Sequence, residues 1–320
     1  TATRTATRTS TTDAPPAKST TAAAAEEKAT KVSEGASTRS SKGQGGHSKG
    51  HAKHVPKNVR NKLFCWALMM PHGYEVSLMR TLLSKGAGIF GCDQWSVFSE
   101  GDNELSPGPP VRIVTTDIGS VHCDYGGPWH LALNSQVFIK VWRKIFSEGK
   151  FLNGDWTVKV DPDAVFFPER LREVLRQQYP PAGAAAAPVY LNNCYLGMHG
   201  PIEALSRQAL ASYKAGKDRC RSGAPFAHKQ EDFYFRECWN LLGIAKVDVF
   251  NILLESDYAC NERSSTRDGR HPCFSHQVSF HPFKSAAAYF ECHRRATSQQ
   301  WVAPMRVYST PPGHGNLHHA

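Results

Sequence analysis

The stretch Asp155-Trp156-Thr157-Val158-Lys159-Val160-Asp161-Pro162-Asp163 decides the fold of this chain. Apolar residues alternate along its first part, which predicts a β-strand. Asp161 and Asp163 follow two positions apart, so in an extended segment their side chains share one face. The carboxyl ends of strands are where open α/β sheets bind their ligands. Hard divalent cations prefer carboxylate oxygens, so the pair predicts a metal site that also holds substrate phosphates.

Strands and helices alternate around this stretch, which predicts a single α/β domain with a mixed, mainly parallel sheet. The predicted strands cover 62–70, 95–99, 111–115, 156–161, 190–196, 246–254 and 278–280. The predicted helices cover 75–84, 134–148, 169–178, 202–214 and 232–242, with a partly helical segment over 282–295. Polar, Gly-rich or Pro-rich segments predict loops over 100–110, 180–188 and 260–272.

Residues 1–62 differ in composition from the rest of the chain. They contain no aromatic residue and are rich in Thr, Ala, Ser, Lys and Gly, which predicts a disordered basic stem. The stem holds 12 Lys/Arg against 4 Asp/Glu, whereas the remainder holds 26 against 24. The net charge of +10 therefore gives little support to a nucleic-acid partner, and we expect none. A folded domain is expected over 63–305 and a flexible tail over 306–320.

Nine cysteines all lie beyond the predicted stem, and none forms Cys-x-x-Cys, which argues against a zinc ribbon or a thioredoxin-type site. Their density favours disulfides in a secretory compartment, although reduced thiols in a cytosolic protein are the alternative. Cys65, in a predicted strand, is expected to be the unpaired cysteine. The sequence has no run of about 18 apolar residues. Membrane attachment is therefore expected only through a signal anchor upstream of the given sequence.

Four segments, in this order, resemble the β1,3-glycosyltransferases, which include the fringe proteins and the core-1 galactosyltransferases. Trp156-x-x-Lys159-x-Asp161-x-Asp163 is similar to the aromatic-Lys-Asp-Asp-Asp metal segment of that family, with Pro162 in place of the middle Asp. Gly200–Leu210 resembles its turn into "LSREAL", but His199-Gly200-Pro201 replaces a Gly-Gly pair. Glu231–Ile244 resembles "EDVYVGxCLxxLGI", and Phe280–Phe283 resembles "FHPF".

This resemblance implies a GT-A fold and a metal-dependent glycosyltransferase. Such an enzyme moves a hexose or an N-acetylhexosamine from a UDP-sugar to a hydroxyl of a glycan or glycoprotein acceptor. It also implies inversion at the transferred sugar and residence in the Golgi or the endoplasmic reticulum lumen. Two alternatives remain open at this point: a retaining transferase, and a non-catalytic protein that binds carbohydrate or nucleotide-sugar on the same fold.

The resemblance assigns the metal ligands. Asp163 is expected to be the principal ligand, and Asp161 to touch the metal through water or to contact the ribose of the donor. His281 is the candidate third ligand, with His276 as its competitor. An imidazole beside two carboxylates suits Mn²⁺ better than Mg²⁺, which remains the other candidate cofactor. The alternative for the two aspartates is a helix-capping pair.

Inverting sugar transfer needs a carboxylate that takes the proton of the acceptor hydroxyl. The resemblance assigns this role to Asp232, with Glu231 beside it as a second catalytic candidate. The alternative is that both residues simply cap the helix predicted over 232–242, where negative charge favours the helix dipole.

Three further residues are candidates for binding the nucleotide. Lys159 shares a strand face with Asp161, so it is a candidate phosphate ligand, although a solvated Lys at a strand end explains it equally well. Asp93, after the first predicted helix, and Asp117 are candidates for holding the uridine or the ribose.

Overall fold

The computed structural model describes residues 60–126, 131–178, 187–223, 229–255, 273 and 277–298. All of them belong to one compact unit of the chain. The predicted stem up to residue 59, the predicted tail, the predicted loop over 260–272 and His276 lie outside the described residues.

Fourteen strands occur in the described residues. They are β1 (Leu63–Leu68), β2 (Gln94–Ser99), β3 (Glu104–Ser106), β4 (Ile113–Val114), β5 (Thr116–Asp117), β6 (Tyr125–Gly126), β7 (Leu131–Ala132), β8 (Trp156–Val160), β9 (Val165–Phe166), β10 (Val189–Asn192), β11 (Ile202–Ser206), β12 (Ala245–Asp248), β13 (Leu253–Glu255) and β14 (Ser279–His281). Seven of them form one sheet in the order β12-β10-β11-β8-β1-β2-β5. Only β11 runs antiparallel to its neighbours in this sheet. The prediction of a mixed, mainly parallel sheet is confirmed.

Helices cover both faces of this sheet. They are α1 (Tyr74–Lys85), α2 (Ser135–Glu148), α3 (Pro168–Gln178), α4 (Arg207–Gly223), α5 (Glu231–Leu241) and α6 (Ala286–Thr297). The first, third and sixth pack into one buried cluster, and the other three pack into a second. In β1, Leu63 and Cys65 belong to the first cluster, whereas Phe64 and Trp66 belong to the second. The continuous apolar run of this strand is therefore explained by burial on both faces.

Some predicted boundaries are wrong. The helix predicted over 202–214 begins only at Arg207, because 202–206 is strand β11, which is fully buried between β8 and β10. Pairing with two neighbours overrides the local helical pattern of this segment. The loop predicted over 100–110 contains β3, which pairs with β4. The strand predicted over 246–254 is divided into β12 and β13.

Disulfides tie the helices and strands together. They join Cys65 to Cys92, Cys220 to Cys238 and Cys273 to Cys292, and Cys194 is also disulfide-bonded. The prediction that Cys65 is unpaired is wrong, because Cys92 lies just before β2, the parallel neighbour of β1. Within the described ranges the free cysteine is Cys123. Several disulfides in one domain indicate an oxidising, secretory-type compartment.

Among the helices of the described ranges, none combines the length and the apolar character that a bilayer crossing requires.

The order of the strands creates a crevice at one edge of the main sheet. Strands β5, β2, β1 and β8 are parallel and follow the 3-2-1-4 arrangement of doubly wound sheets. The direction of winding reverses between β1 and β8. Ligands of such sheets bind beyond the carboxyl ends of the strands at this reversal, and β8 ends there in the two predicted metal ligands.

Candidate metal site and active site

A tight turn at the end of β8 presents both aspartates to the crevice. The backbone N–H of Asp161 donates to the carbonyl of Pro201 over 3.1 Å, and Ala164 N–H donates to the Asp161 carbonyl over 3.0 Å. Asp163 is nearly buried, with 7% of its surface exposed. The next helix starts only at Pro168, so the two carboxylates do not cap it.

A small second sheet brings the predicted histidine to this turn. It has the order β13-β14-β9, and β9 begins two residues after Asp163. His281 ends β14, and beyond it the N–H of Phe283 donates to the Asp163 carbonyl over 2.8 Å. Glu255 ends β13 and lies opposite His281 in the parallel register. Residues far apart in the sequence therefore meet through one three-stranded sheet.

Asp161, Asp163 and His281 form a group that fits a divalent cation. Each offers one ligand atom, and these atoms lie within 4.8 Å of one another. The Nε2 atom of His281 is 3.4 Å from Oδ1 of Asp163. Two carboxylates and one imidazole suit Mn²⁺, which accepts both oxygen and nitrogen ligands. The structure thus brings together the three residues that the sequence predicted.

Burial and neighbouring charges shift the pKa values of all three residues of this group. Burial raises the pKa of Asp161, and Lys159 opposes that rise. Burial also acts to raise the pKa of Asp163, but hydrogen bonds with His281 and Tyr74 bring it below its usual value. The Tyr74 hydroxyl donates to Oδ2 of Asp163 over 3.0 Å. Burial would lower the pKa of His281, but Asp163 and Glu255 raise it to about 9.

Lys159 is not placed to bind phosphate. Its side chain is 1% exposed, and its ammonium lies 2.9 Å from Oδ1 of Asp161 and 2.5 Å from Oε1 of Glu231. It also donates to the carbonyl of Gly200 over 2.6 Å. A Cβ at Gly200 would lie 2.6 Å from Oε1 of Glu231, so a side chain here would push this carboxylate away from its place beside Lys159. The function of Lys159 in the structure is to join the metal group to the start of α5.

Glu231 is also drawn into this buried ion pair. Only 7% of its surface is exposed, and its carboxylate faces Lys159 rather than the crevice. A second buried carboxylate, Glu203 on β11, lies 3.9 Å from the same ammonium. Its Oε1 atom has no hydrogen-bond partner among the described residues, and burial raises its pKa well above the usual value. The one ammonium therefore pairs with Asp161 and Glu231, while burial favours the neutral form of Glu203 beside them.

Asp232 is the member of the acidic pair that faces outward. It lies in the first turn of α5, and its Oδ1 accepts a hydrogen bond from the N–H of Phe233 over 2.7 Å. Gln230 is the N-cap residue of this helix, so neither acid caps it, although both lie where the helix dipole favours negative charge. Burial, followed by the neighbouring charge of Glu231, raises the pKa of Asp232 to about 6.

The structure does not bring the two nucleotide candidates to the metal group. Asp93 lies at the opposite, amino edge of the sheet, where it accepts hydrogen bonds from Leu63 N–H, Arg60 and Arg172. Asp117 lies at the correct edge but three strands from β8, a distance of about 14 Å at ordinary strand spacing. Its Oδ1 holds the N–H groups of Gly101 and Gly119.

Sequence reasoning missed several residues of the site. They are Tyr74, Glu203, Glu255 and, apart from its place in a motif, His199. Tyr74 stands just before the helix predicted over 75–84, Glu203 stands in the helix predicted over 202–214, and Glu255 follows a predicted strand. Local pattern therefore indicated no polar role for them. Each reaches the site through a pairing between distant segments.

Comparisons with known proteins add little to this geometry. No family model matches the chain, and no curated protein matches it. A crystal structure of a glycosyltransferase involved in the glycosylation of the major capsid of PBCV-1 matches over 72% of this chain and 98% of its own length. The identity is 12% and the TM-score 0.40. A similarity of this size is too low to carry a fold or functional argument, so both rest on the residues described above.

Proposed function

We propose that this chain is a GT-A type glycosyltransferase that depends on a divalent cation, in the first place Mn²⁺. It transfers a hexose or an N-acetylhexosamine from a UDP-sugar to a hydroxyl of a glycan or glycoprotein, with inversion. The observation that carries the proposal is the group Asp161, Asp163 and His281 at the reversal point of the sheet. The disulfides favour the lumen of the Golgi or endoplasmic reticulum as its location.

The metal group suits a diphosphate leaving group. When bound, the cation neutralises the negative charge that develops on the departing UDP. Asp163 and His281 would hold the cation, with Asp161, whose carboxylate also pairs with Lys159. The protein's own contribution is to fix these ligands before the donor arrives, because each is held by a second contact.

The base role of Asp232 is supported by its position and by its pKa. It is the outward-facing acid beside the cluster, and a pKa of about 6 keeps it ionised at neutral pH while making it a stronger base than an ordinary aspartate. Attack by an acceptor hydroxyl that loses its proton to Asp232 displaces UDP from the opposite face of the sugar. This geometry gives inversion, and it favours Asp232 over the buried Glu231 as the base.

The test is UDP release from a panel of UDP-sugars, with Mn²⁺ or with EDTA, for wild type and Asp163→Ala. We expect release from one donor that requires the metal and is lost in the variant. No release from any donor, together with no Mn²⁺-dependent binding of UDP by calorimetry, would refute the proposed function.

A further inference from the structure

Glu255 makes two hydrogen bonds to two histidines from different parts of the chain. Its Oε1 is 3.1 Å from Nδ1 of His281, and its Oε2 is 2.7 Å from Nδ1 of His199. The Glu255 side chain is 10% exposed, whereas those of His281 and His199 are 21% and 25% exposed. Glu255 is not itself a member of the group that fits a metal. Glu255 therefore lies next to the metal group and contacts it through His281, while its other oxygen holds His199.

The bond to His281 decides which ring nitrogen meets the metal. A carboxylate accepts a hydrogen bond, so Nδ1 of His281 carries the proton and Nε2 is left as the ligand atom on the side of Asp163. Partners of this kind fix both the tautomer and the orientation of a metal-binding imidazole. The parallel register of β13 and β14 sets Glu255 against His281, so the contact is built into the sheet.

The bond to His199 extends the same arrangement towards Asp232. The backbone of His199 is clamped by the fully buried side chain of Asn193, which accepts from its N–H over 2.8 Å and donates to its carbonyl over 2.9 Å. The same amide donates to the carbonyl of Ile202 over 2.7 Å. Gly200, the next residue, lies against the start of α5, since a Cβ there would be 2.6 Å from Oε1 of Glu231. The loop before β11 is thus built to hold this ring against Glu255, beside the start of the helix that carries Asp232.

We propose that Glu255 is a positioning residue for both halves of the site, because it orients His281 towards the cation and His199 towards the acceptor side. The part that concerns the acceptor side rests on the proposed function, in which Asp232 is the base. The metal half concerns only Mn²⁺ and the imidazole tautomer, so it is tested without turnover.

Mn²⁺ affinity measured by calorimetry tests the metal half. We expect Glu255→Ala to raise the Kd for Mn²⁺ about 10- to 100-fold, as loss of such a partner does in other metal sites. Glu255→Gln keeps one accepting oxygen, so its effect is expected to be smaller. Glu173→Gln is the matched control, since Glu173 also accepts from two side chains, those of Arg176 and Gln177, but lies on α3 away from the site. An unchanged Kd in Glu255→Ala would overturn the proposal.

Imidazole ¹⁵N NMR on the metal-free protein is the second readout. His281 and His199 are both expected to carry a proton on Nδ1 in wild type. Both Nδ1 signals should lose their protection from solvent exchange in Glu255→Ala, whereas Glu255→Gln, which keeps one accepting oxygen, should expose one of them. His281 protonated only on Nε2 in wild type would overturn the proposal. The NMR measurement does not depend on UDP release. It therefore distinguishes a failure of the proposal about Glu255 from a failure of the proposed function.

His199→Ala removes one of the two hydrogen bonds of Glu255 and leaves the one to His281. Because Glu255 still accepts from His281 in this variant, the Mn²⁺ Kd is expected to stay within about threefold of wild type, below the range for loss of a direct partner. A loss as large as that of Glu255→Ala would show that the fold of the loop, rather than the carboxylate, orients His281.

Discussion

Strand β8 has an aspartate at each end, and the two have opposite surroundings. Asp155, at the amino end, accepts from Arg207 over 3.0 Å and from the N–H of Lys62 over 2.9 Å. Asp161, at the carboxyl end, shares one lysine with other acids. Asp93 repeats the first pattern, with Arg60 and Arg172 both at 2.7 Å. Carboxylates of the amino edge are thus matched by arginines.

The carboxyl edge gathers more acids than its cations can neutralise. The charged acids are Asp161, Asp163, Glu231, Asp232 and Glu255, beside the neutral Glu203, and the side chains that face them include Lys159, His199 and His281. Burying unmatched charge costs stability, so a fold tolerates it where the charge serves a ligand. The amino edge of the sheet is therefore stabilised by its ion pairs, whereas the carboxyl edge has an excess of negative charge that suits a cation.

The largest effect on activity is expected when the aspartate at the carboxyl end of β8 is replaced, rather than the one at the amino end. Asp161→Asn should reduce metal-dependent UDP release to the level measured with EDTA, because it removes a member of the metal group. Asp155→Asn should leave the rate per folded molecule near wild type and lower the melting temperature instead. Equal losses of activity in the two variants would contradict the claim that the carboxyl edge serves activity and the amino edge serves stability.

Removal of the proposed base comes next. Asp232→Asn should lower kcat about 100- to 10,000-fold with little change in Mn²⁺ affinity, as expected for loss of general-base catalysis. Because the pKa of Asp232 is about 6, the wild-type rate should fall as pH drops below that value and the carboxylate becomes protonated. The residual rate of the variant should lack this dependence.

Glu237→Gln is the control on the same helix, since Glu237 is exposed and pairs only with Lys229 among the described contacts. A wild-type rate that stays constant from pH 8 to pH 5 would argue against Asp232 as the base.

A smaller effect, on stability alone, is expected at the amino edge. Arg172→Ala breaks a pair in which the arginine is 4% and Asp93 21% exposed. Breaking fully buried pairs costs roughly 3–5 kcal/mol, and since Asp93 keeps Arg60 we expect about 2 kcal/mol. Thermal unfolding should show this loss while the Kd for Mn²⁺ is unchanged.

Arg176→Ala is the matched control, because its pair with Glu173 on the same helix is 62% exposed on the arginine side. Exposed pairs of this kind contribute about 0–1 kcal/mol. Equal destabilisation by the two changes would show that burial of the pair is not the cause.

The last effect, that of Glu203→Gln, concerns stability alone and has the opposite sign. Burial raises the folded-state pKa of Glu203, so the folded protein binds a proton that the unfolded chain releases, and wild-type stability falls as pH rises above 4.5. Gln removes this cost. The variant should be more stable than wild type at pH 8, with the difference vanishing towards pH 4.5. Destabilisation at pH 8 would mean that Glu203 is charged and held by Lys159.

The sequence predicted the parts of the site that local pattern encodes. The strand before Asp161, the i, i+2 spacing and the motif around His281 all lie in short segments, and the structure brings these residues together. Glu255 was missed because its partners lie 26 and 56 positions away, joined by strand register and by a loop. Lys159 was misjudged for a similar reason, since its burial depends on β11, which was predicted as a helix.

Calorimetric titration of Mn²⁺ in the presence of UDP tests the central claim most directly. Wild type, Asp155→Asn and Asp163→Asn are compared under the same conditions. We expect one Mn²⁺ site in wild type and in Asp155→Asn, and its loss in Asp163→Asn. Equal binding by all three proteins, or no binding by wild type, would contradict the claim that the carboxyl edge of this sheet is built to hold a cation.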